Sequence, residues 1–259
     1  SAEVTRAIIA PDGGHIAYTR QNPASLWVID SEGQTESQRY QAAGELIGDV
    51  AWLDAQTLIF NTLAEAGPAP MPRDDLYQDD IRQSQPERLL APGDGGRFAI
   101  SPSGRWIALV SAGVYDSSDG QISVMESQAP HTTRSLMTFP AVATGAHTPF
   151  YPSLHWLPDE SALLVAIPDA DLIYAEASSS GPPVNLWRLA INTDLAPELL
   201  GEVPASFFGL PRWSDDGQWL SYVQRQPTSN RFDSVIANQD GSNAQIITSG
   251  DAGTLQAPE

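Results

Sequence analysis

One element recurs five times along the chain and leaves few folds open. An apolar residue is followed by a short polar turn and then by an apolar strand. The copies read Ile9-Ala-Pro-Asp-Gly-Gly-His-Ile-Ala-Tyr18, Trp52-Leu-Asp-Ala-Gln-Thr-Leu-Ile-Phe60, Ile100-Ser-Pro-Ser-Gly-Arg-Trp-Ile-Ala-Leu109, Trp156-Leu-Pro-Asp-Glu-Ser-Ala-Leu-Leu-Val165 and Trp213-Ser-Asp-Asp-Gly-Gln-Trp-Leu-Ser-Tyr222. Their leading residues are spaced by 43, 48, 56 and 57 positions. Self-similarity at such a period means stacked units, each burying its faces against its neighbours.

The turn has a physical rationale. Proline presets φ, aspartate hydrogen-bonds the turn backbone, and glycine supplies a positive φ. Flanked by β-branched and aromatic residues, this is a tight hairpin. A third strand follows each hairpin, around 26–30, 76–79, 122–126, 186–190 and 234–237. A fourth follows near 39–40, 88–90, 134–136, 198–200 and 245–248. No segment sustains a helical period. The expectation is an all-β chain: a β-propeller of four-stranded antiparallel blades, with five blades visible. Their bounds fall near 4–43, 46–92, 95–138, 150–202 and 207–250, within one domain covering 1–259. Repeat two lacks the proline and glycine, and repeat four has Glu160-Ser161 in place of glycine. Looser or different turns are expected there.

The Ile-Ala-Pro-Asp-Gly and Trp-Ser-Asp-Asp-Gly turns, with Leu26-Trp-Val-Ile-Asp30 downstream, resemble the TolB-like (WD-repeat-like) β-propeller repeat over about residues 5–250. The resemblance implies the fold more than the job. Such repeats serve periplasmic binding and scaffold proteins, and also propellers that gate peptidases. All seven tryptophans fall on repeat columns: Trp27, Trp52, Trp106, Trp156, Trp187, Trp213 and Trp219. They read as space-fillers between blades rather than as a stacking platform. The spacing leaves two readings of completeness: five blades closed by a strap in 254–259, or part of a larger propeller. Exposed blade edges disfavour an open ring.

Charge removes several partners. There are 32 Asp and Glu against 13 basic residues, all arginine, for a formal net charge of −19. Nucleic-acid binding needs clustered basic charge, and anionic membrane surfaces attract it too. With no cysteine there is no disulfide or thiolate chemistry. No run is long enough to insert in a bilayer.

Candidate sites follow from strand order. The loops joining second to third strands, at 19–25, 61–75, 111–120, 168–184 and 224–231, share a face with the connection 139–152. Long loops on a rigid scaffold usually carry function. Asp74, Asp75, Tyr115, Asp116, Asp119, Tyr151, Asp169, Asp171 and Tyr174 all fall there, as do Glu65 and Glu176. Carboxylates with tyrosines suit a protein, peptide or glycan partner, a cationic one especially. Calcium takes oxygen ligands, but neither 116–120 nor 169–171 completes a coordination set, so no cofactor is expected. On the inner strands, Arg6, Asp49 and Arg97 occupy one repeat position, and His155 and Arg212 directly precede leading tryptophans. These form either a ligand clamp or paired charges around a wet channel. No nucleophile elbow, phosphate loop or His-Glu-x-x-His spacing occurs. The reading is a non-catalytic binding propeller acting through its acidic long-loop face. The resemblance, with Ser1 at the start, places it outside the cytoplasm. The alternatives are a five-bladed carbohydrate-active hydrolase using loop carboxylates, or an accessory propeller of a larger enzyme or sensor.

Overall fold

A computed structural model describes residues 3–63, 74–113, 118–142, 150–169, 183–192, 195–205, 209–226, 229 and 231–251. Among the described residues the regular elements are twenty strands. They are β1 (Val4–Ile9), β2 (His15–Arg20), β3 (Ser25–Asp30), β4 (Glu36–Gln41), β5 (Leu46–Trp52), β6 (Thr57–Leu63), β7 (Asp75–Asp80) and β8 (Glu87–Arg88). Next come β9 (Arg97–Ile100), β10 (Trp106–Ser111), β11 (Gly120–Glu126), β12 (Arg134–Phe139), β13 (Leu154–Trp156) and β14 (Ala162–Pro168). The last are β15 (Val184–Ala190), β16 (Glu198–Val203), β17 (Arg212–Trp213), β18 (Trp219–Arg225), β19 (Arg231–Asn238) and β20 (Gln245–Asp251).

These strands form five four-stranded sheets, each ordered as the chain runs: β1-β2-β3-β4, β5-β6-β7-β8, β9-β10-β11-β12, β13-β14-β15-β16 and β17-β18-β19-β20. The five meanders are the blades that the repeat specifies. The chain divides into two compact units, 1–111 with 125–133, and 112–124 with 134–259.

The tight turns are nearly superposable in hydrogen bonding. The amides of Ala10, Ser101, Leu157 and Ser214 donate to the carbonyls of His15, Trp106, Ala162 and Trp219 at 2.8–3.0 Å. Three residues on, Gly13, Gly104 and Gly217 sit at φ of 72°, 75° and 69° and donate back to Ala10, Ser101 and Ser214. Repeat four departs from its expectation. Glu160 takes the glycine position at φ 56° and donates to Leu157 O, so the turn is neither looser nor different. Ser161 N–H donates to Asp159 Oδ1 at 3.0 Å, the bond that Asp12 gives Gly14 and Asp216 gives Gln218. That side-chain bond holds the turn without glycine. Repeat two is indeed different. Leu53 N–H donates to Thr57 O, and Asp54 Oδ1 accepts from both Gln56 and Thr57.

Middle strands are buried on both faces, because side chains alternate across the pleat. In β6, Leu58 and Phe60 join Ala17, Leu26, Val28 and Val50 in one core, while Ile59 joins Leu76, Phe98, Ile107, Leu109 and Met125 in another. Tyr40, Phe60 and Tyr77 close the first, with ring centroids 5.1 Å apart in every pair. The second unit repeats this pattern. Leu164 and Ala166 of β14 pack with Trp213, Leu220, Tyr222, Val235 and Ala237. Most tryptophans are buried or half-buried in keeping with the expectation. Trp219 is the departure, at 51% exposed. It precedes Leu220 by one position, so the pleat turns it away from the core that Leu220 fills.

Candidate functional site

Three inner strands of the first unit bring charges together. Arg6 of β1 and Arg97 of β9 both approach Asp49 of β5, at 3.6 Å (Nη1 to Oδ1) and 4.0 Å (Nε to Oδ2). The side chains are 48%, 51% and 29% exposed for Arg6, Arg97 and Asp49. The residues that share a repeat position therefore share a site.

The backbone around the trio is set by a residue that the repeat did not mark. Asn61, in β6, is fully buried. Its Oδ1 accepts from Asp49 N–H at 2.5 Å, and its Nδ2 donates to Gly96 O at 2.7 Å. The β5–β6 register slips between Ile47 and Val50, which is where the Asn61 side chain replaces a ladder bond. A Cβ on Gly48 would lie 2.6 Å from Asn61 Oδ1, and one on Gly96 2.0 Å from Val110 O. Glycine is thus required directly before both Asp49 and Arg97. The available signal was an asparagine directly after the apolar run Leu58-Ile59-Phe60, since a buried amide needs partners.

His155 and Arg212 lie in the second unit. His155, in β13, stands 6.4 Å from Trp213 by ring centroids. Its Nε2 is buried with no hydrogen-bond partner among the described residues. Burial pulls its pKa below the usual histidine value, against the opposing pull of Asp215 and Asp216. Arg212 is exposed on β17, opposite Ser221.

The connections between second and third strands are unequal. Those at 64–74, 112–119 and 169–183 are long, whereas 21–24 and 226–230 are no longer than the tight turns. Residues 20–25 are drawn in by direct pairing of Arg20 with Ser25, and Gln226 N–H closes onto Arg231 O. Tyr115, Asp116, Asp171 and Tyr174, with Glu65 and Glu176, lie outside the described residues. In the first unit, Asp75 is engaged. It accepts from Gly93 N–H at 2.9 Å and from Tyr77 O–H at 3.3 Å, and lies 3.6 Å from Arg88. Asp74 adjoins it, and its carbonyl accepts from Gly95 N–H at 3.0 Å. In the second unit, Asp119 and Asp169 are exposed and Tyr151 is half-buried. Leu154 pairs with Val165, so Tyr151 and Asp169 mark the same end of the fourth sheet. Asp119 precedes Gly120, which pairs with Phe139 at the end leading into that sheet. Asn185 Nδ2 donates to Asp169 at 3.3 Å. Among the described residues no group of three His, Asp or Glu side chains is placed to hold a metal ion. No helix among them is long and apolar enough to cross a membrane.

No protein-family model matches the sequence, and no curated protein matches it. Solved structures do. TolB from Acinetobacter baumannii is 18% identical, with a TM-score of 0.55 over 91% of this chain and 53% of its own. An oligogalacturonate lyase in complex with manganese is 16% identical, with a TM-score of 0.63 over 95% and 65%. The β-propeller domain of the Trilobed protease from Pyrococcus furiosus is 12% identical, with a TM-score of 0.58 over 95% and 71%. The chain spans about half of the TolB structure and about two thirds of the lyase. With five antiparallel four-stranded sheets and such neighbours, the chain is a β-propeller protein, similar in fold to TolB and to the propellers of carbohydrate-acting and proteolytic enzymes.

Proposed function

We propose that this chain is a non-catalytic binding propeller acting outside the cytoplasm, which engages a protein, peptide or glycan partner through its long loops and prefers a cationic one. One observation carries the reading. The exposed acids of the tight turns are tied to turn amides, as at Asp12, Asp159 and Asp216, whereas Asp119 and Asp169 are exposed where the long loops leave the second unit's strands, Asp169 accepting from the Asn185 side chain rather than from a turn amide. An excess of carboxylates over a solvated loop face attracts positive charge and speeds encounter. The protein-binding role also fits the likeness to TolB-like propellers.

The test compares acids by position. Binding of an octalysine peptide is measured by biolayer interferometry at low and at physiological salt. Replacing Asp119 and Asp169 with Asn should slow association severalfold and flatten its salt dependence. Replacing Asp12 and Asp216 with Asn removes the same charge from the turns and should leave association nearly unchanged. Equal losses in the two variants would reduce the loop face to general acidity. Cleavage of polygalacturonate by the purified chain would favour carbohydrate chemistry instead.

A further inference from the structure

We infer that the cleft between β12 and β15 binds a short aliphatic carboxylic acid, held at its head by Arg134. The inference is independent of the loop-face reading. Ala190, which lines the cleft, pairs with Ala162, whereas Val184 pairs with Pro168, so the cleft lies at the end of the fourth sheet away from Asp169.

The cleft exists because one repeat position changes character. The fourth strands of the first and third sheets each carry one extra residue where the register slips: Arg39 between Gln38 and Tyr40, and Leu136 between Ser135 and Met137. Such a bulge re-aims a side chain. Arg39 uses it to reach Asp79, on the third strand of the next sheet. Leu136 holds the position of Arg39, and Leu189 holds that of Asp79, pairing with Leu163 as Asp79 pairs with Leu58. Leucine falls short of the reach of arginine, and a cleft of about 310 Å³ remains.

The walls set the ligand. Leu136, Leu189, Leu195 and Pro197 give the cleft apolar surface, and among its described lining residues Arg134 is the one charge. Leu189 is buried and Leu195 is 68% exposed, so an apolar floor meets an open apolar rim. Arg134 is held but not neutralised. Its Nη2 donates to Ile191 O, and Ile191 N–H is fixed on Ser161 O at 2.9 Å. Among the described residues no carboxylate pairs with Arg134; Glu198, directly after Pro197, lies 3.6 Å from Arg188 instead. A guanidinium carries five N–H donors in a rigid fork, so one carbonyl leaves donors for an anion. A planar carboxylate accepts two parallel bonds from such a fork, and pinning the fork beforehand reduces the freedom lost on binding. An unneutralised arginine beside leucines suits a carboxylate with a hydrocarbon chain behind it. The volume sits at the lower end of the range for small-molecule sites, about 300–1,000 Å³, which favours a free acid over a peptide.

The experiment follows the Arg134 Nε–Hε resonance and the leucine methyls of the full chain by NMR. Hexanoate, hexanamide, acetate and acetyl-alanyl-leucine are titrated in turn. Hexanoate should give saturable shifts at Arg134, Leu136 and Leu189. Hexanamide lacks the charge and acetate the chain, so each should bind at least about tenfold more weakly. Acetyl-alanyl-leucine, the same carboxylate on a peptide, should also bind more weakly than hexanoate. Hexanoate affinity should fall about tenfold in Arg134→Gln and less in Arg134→Lys. Leu195→Ser alters an exposed side chain, so it should weaken hexanoate severalfold with the fold intact by circular dichroism, even if Arg134→Gln disturbs the Ile191 contact. No saturable shift with hexanoate, an equal response to hexanamide, or hexanoate affinity unchanged in Leu195→Ser would overturn the proposal. Tighter binding of acetyl-alanyl-leucine would overturn the free acid in favour of a peptide C-terminus.

Discussion

Arg39 and Asp79 lock the first two blades together through a buried ion pair. Arg39, on the outer strand of the first sheet, donates two parallel bonds to Asp79, on the third strand of the second. It also donates to the carbonyls of Asp80 and Gln83, at 3.2 and 2.7 Å. The Asp79 side chain is fully buried. Bonding to Asp79 raises the Arg39 pKa against the opposing effect of burial. Arg39→Ala or Asp79→Ala should each cost about 3–5 kcal/mol, because either leaves its partner charged and unpaired in the interior. The double change Arg39→Met with Asp79→Leu should cost much less than the sum. Urea unfolding of the three variants checks this; additive losses would mean the two residues act separately.

A second prediction concerns Asn61. Its amide satisfies two backbone groups of neighbouring sheets. Asn61→Leu keeps the branched shape of the side chain but strands both, at a cost of about 1–3 kcal/mol for each buried group left unpaired. Gly96→Ala should be worse than an ordinary surface change, since φ is 138° and the added Cβ falls on Val110 O. The melting temperature of each variant is the measurement. A shift within the range of surface substitutions would show that the bulge rearranges freely.

The contrast between these residues explains what a sequence discloses. The Asp12, Asp159 and Asp216 turns are local: each bond spans two residues, so residue type and spacing announce it. Strand order follows from the same repetition. Arg6, Asp49 and Arg97 could be grouped because they share a repeat column. Arg39 and Asp79 lie 40 positions apart in different columns, and no local rule pairs them. Asn61 was hidden for another reason: in a run of apolar residues its role depends on the Gly96 carbonyl, 35 positions away. Loop lengths misled where strands extended further than their apolar cores, as at Arg20 and Arg225, whose polar ends still pair.

Glu160 gives a third prediction, this time of stabilisation. It holds φ at 56°, where the equivalent positions carry glycine. A side chain in this left-handed region costs about 1–2 kcal/mol, and glycine removes that cost while adding freedom to the unfolded chain. Glu160→Gly should therefore raise stability by about 0.5–1 kcal/mol. Glu160→Val should lower it, because a β-branched residue tolerates positive φ least. Chemical denaturation of both settles the sign, and loss of stability in Glu160→Gly would mean that the glutamate's own contact outweighs the backbone strain.

His155 makes stability depend on pH. Burial lowers its pKa below the ordinary histidine value of about 6.5, so the folded chain resists protonating it while the unfolded chain does not. The unfolded state consequently binds the extra proton first as pH falls below about 6.5. The stabilisation is complete above that point and is lost as pH falls towards the folded-state value. Asp215 and Asp216 draw the pKa back upward, so removing their charge should deepen the loss. His155→Gln should flatten the stability profile between pH 7 and 5, and Asp215→Asn with Asp216→Asn should steepen it. Urea midpoints measured across that window decide the matter. An unchanged slope in His155→Gln would assign the pH dependence to other groups.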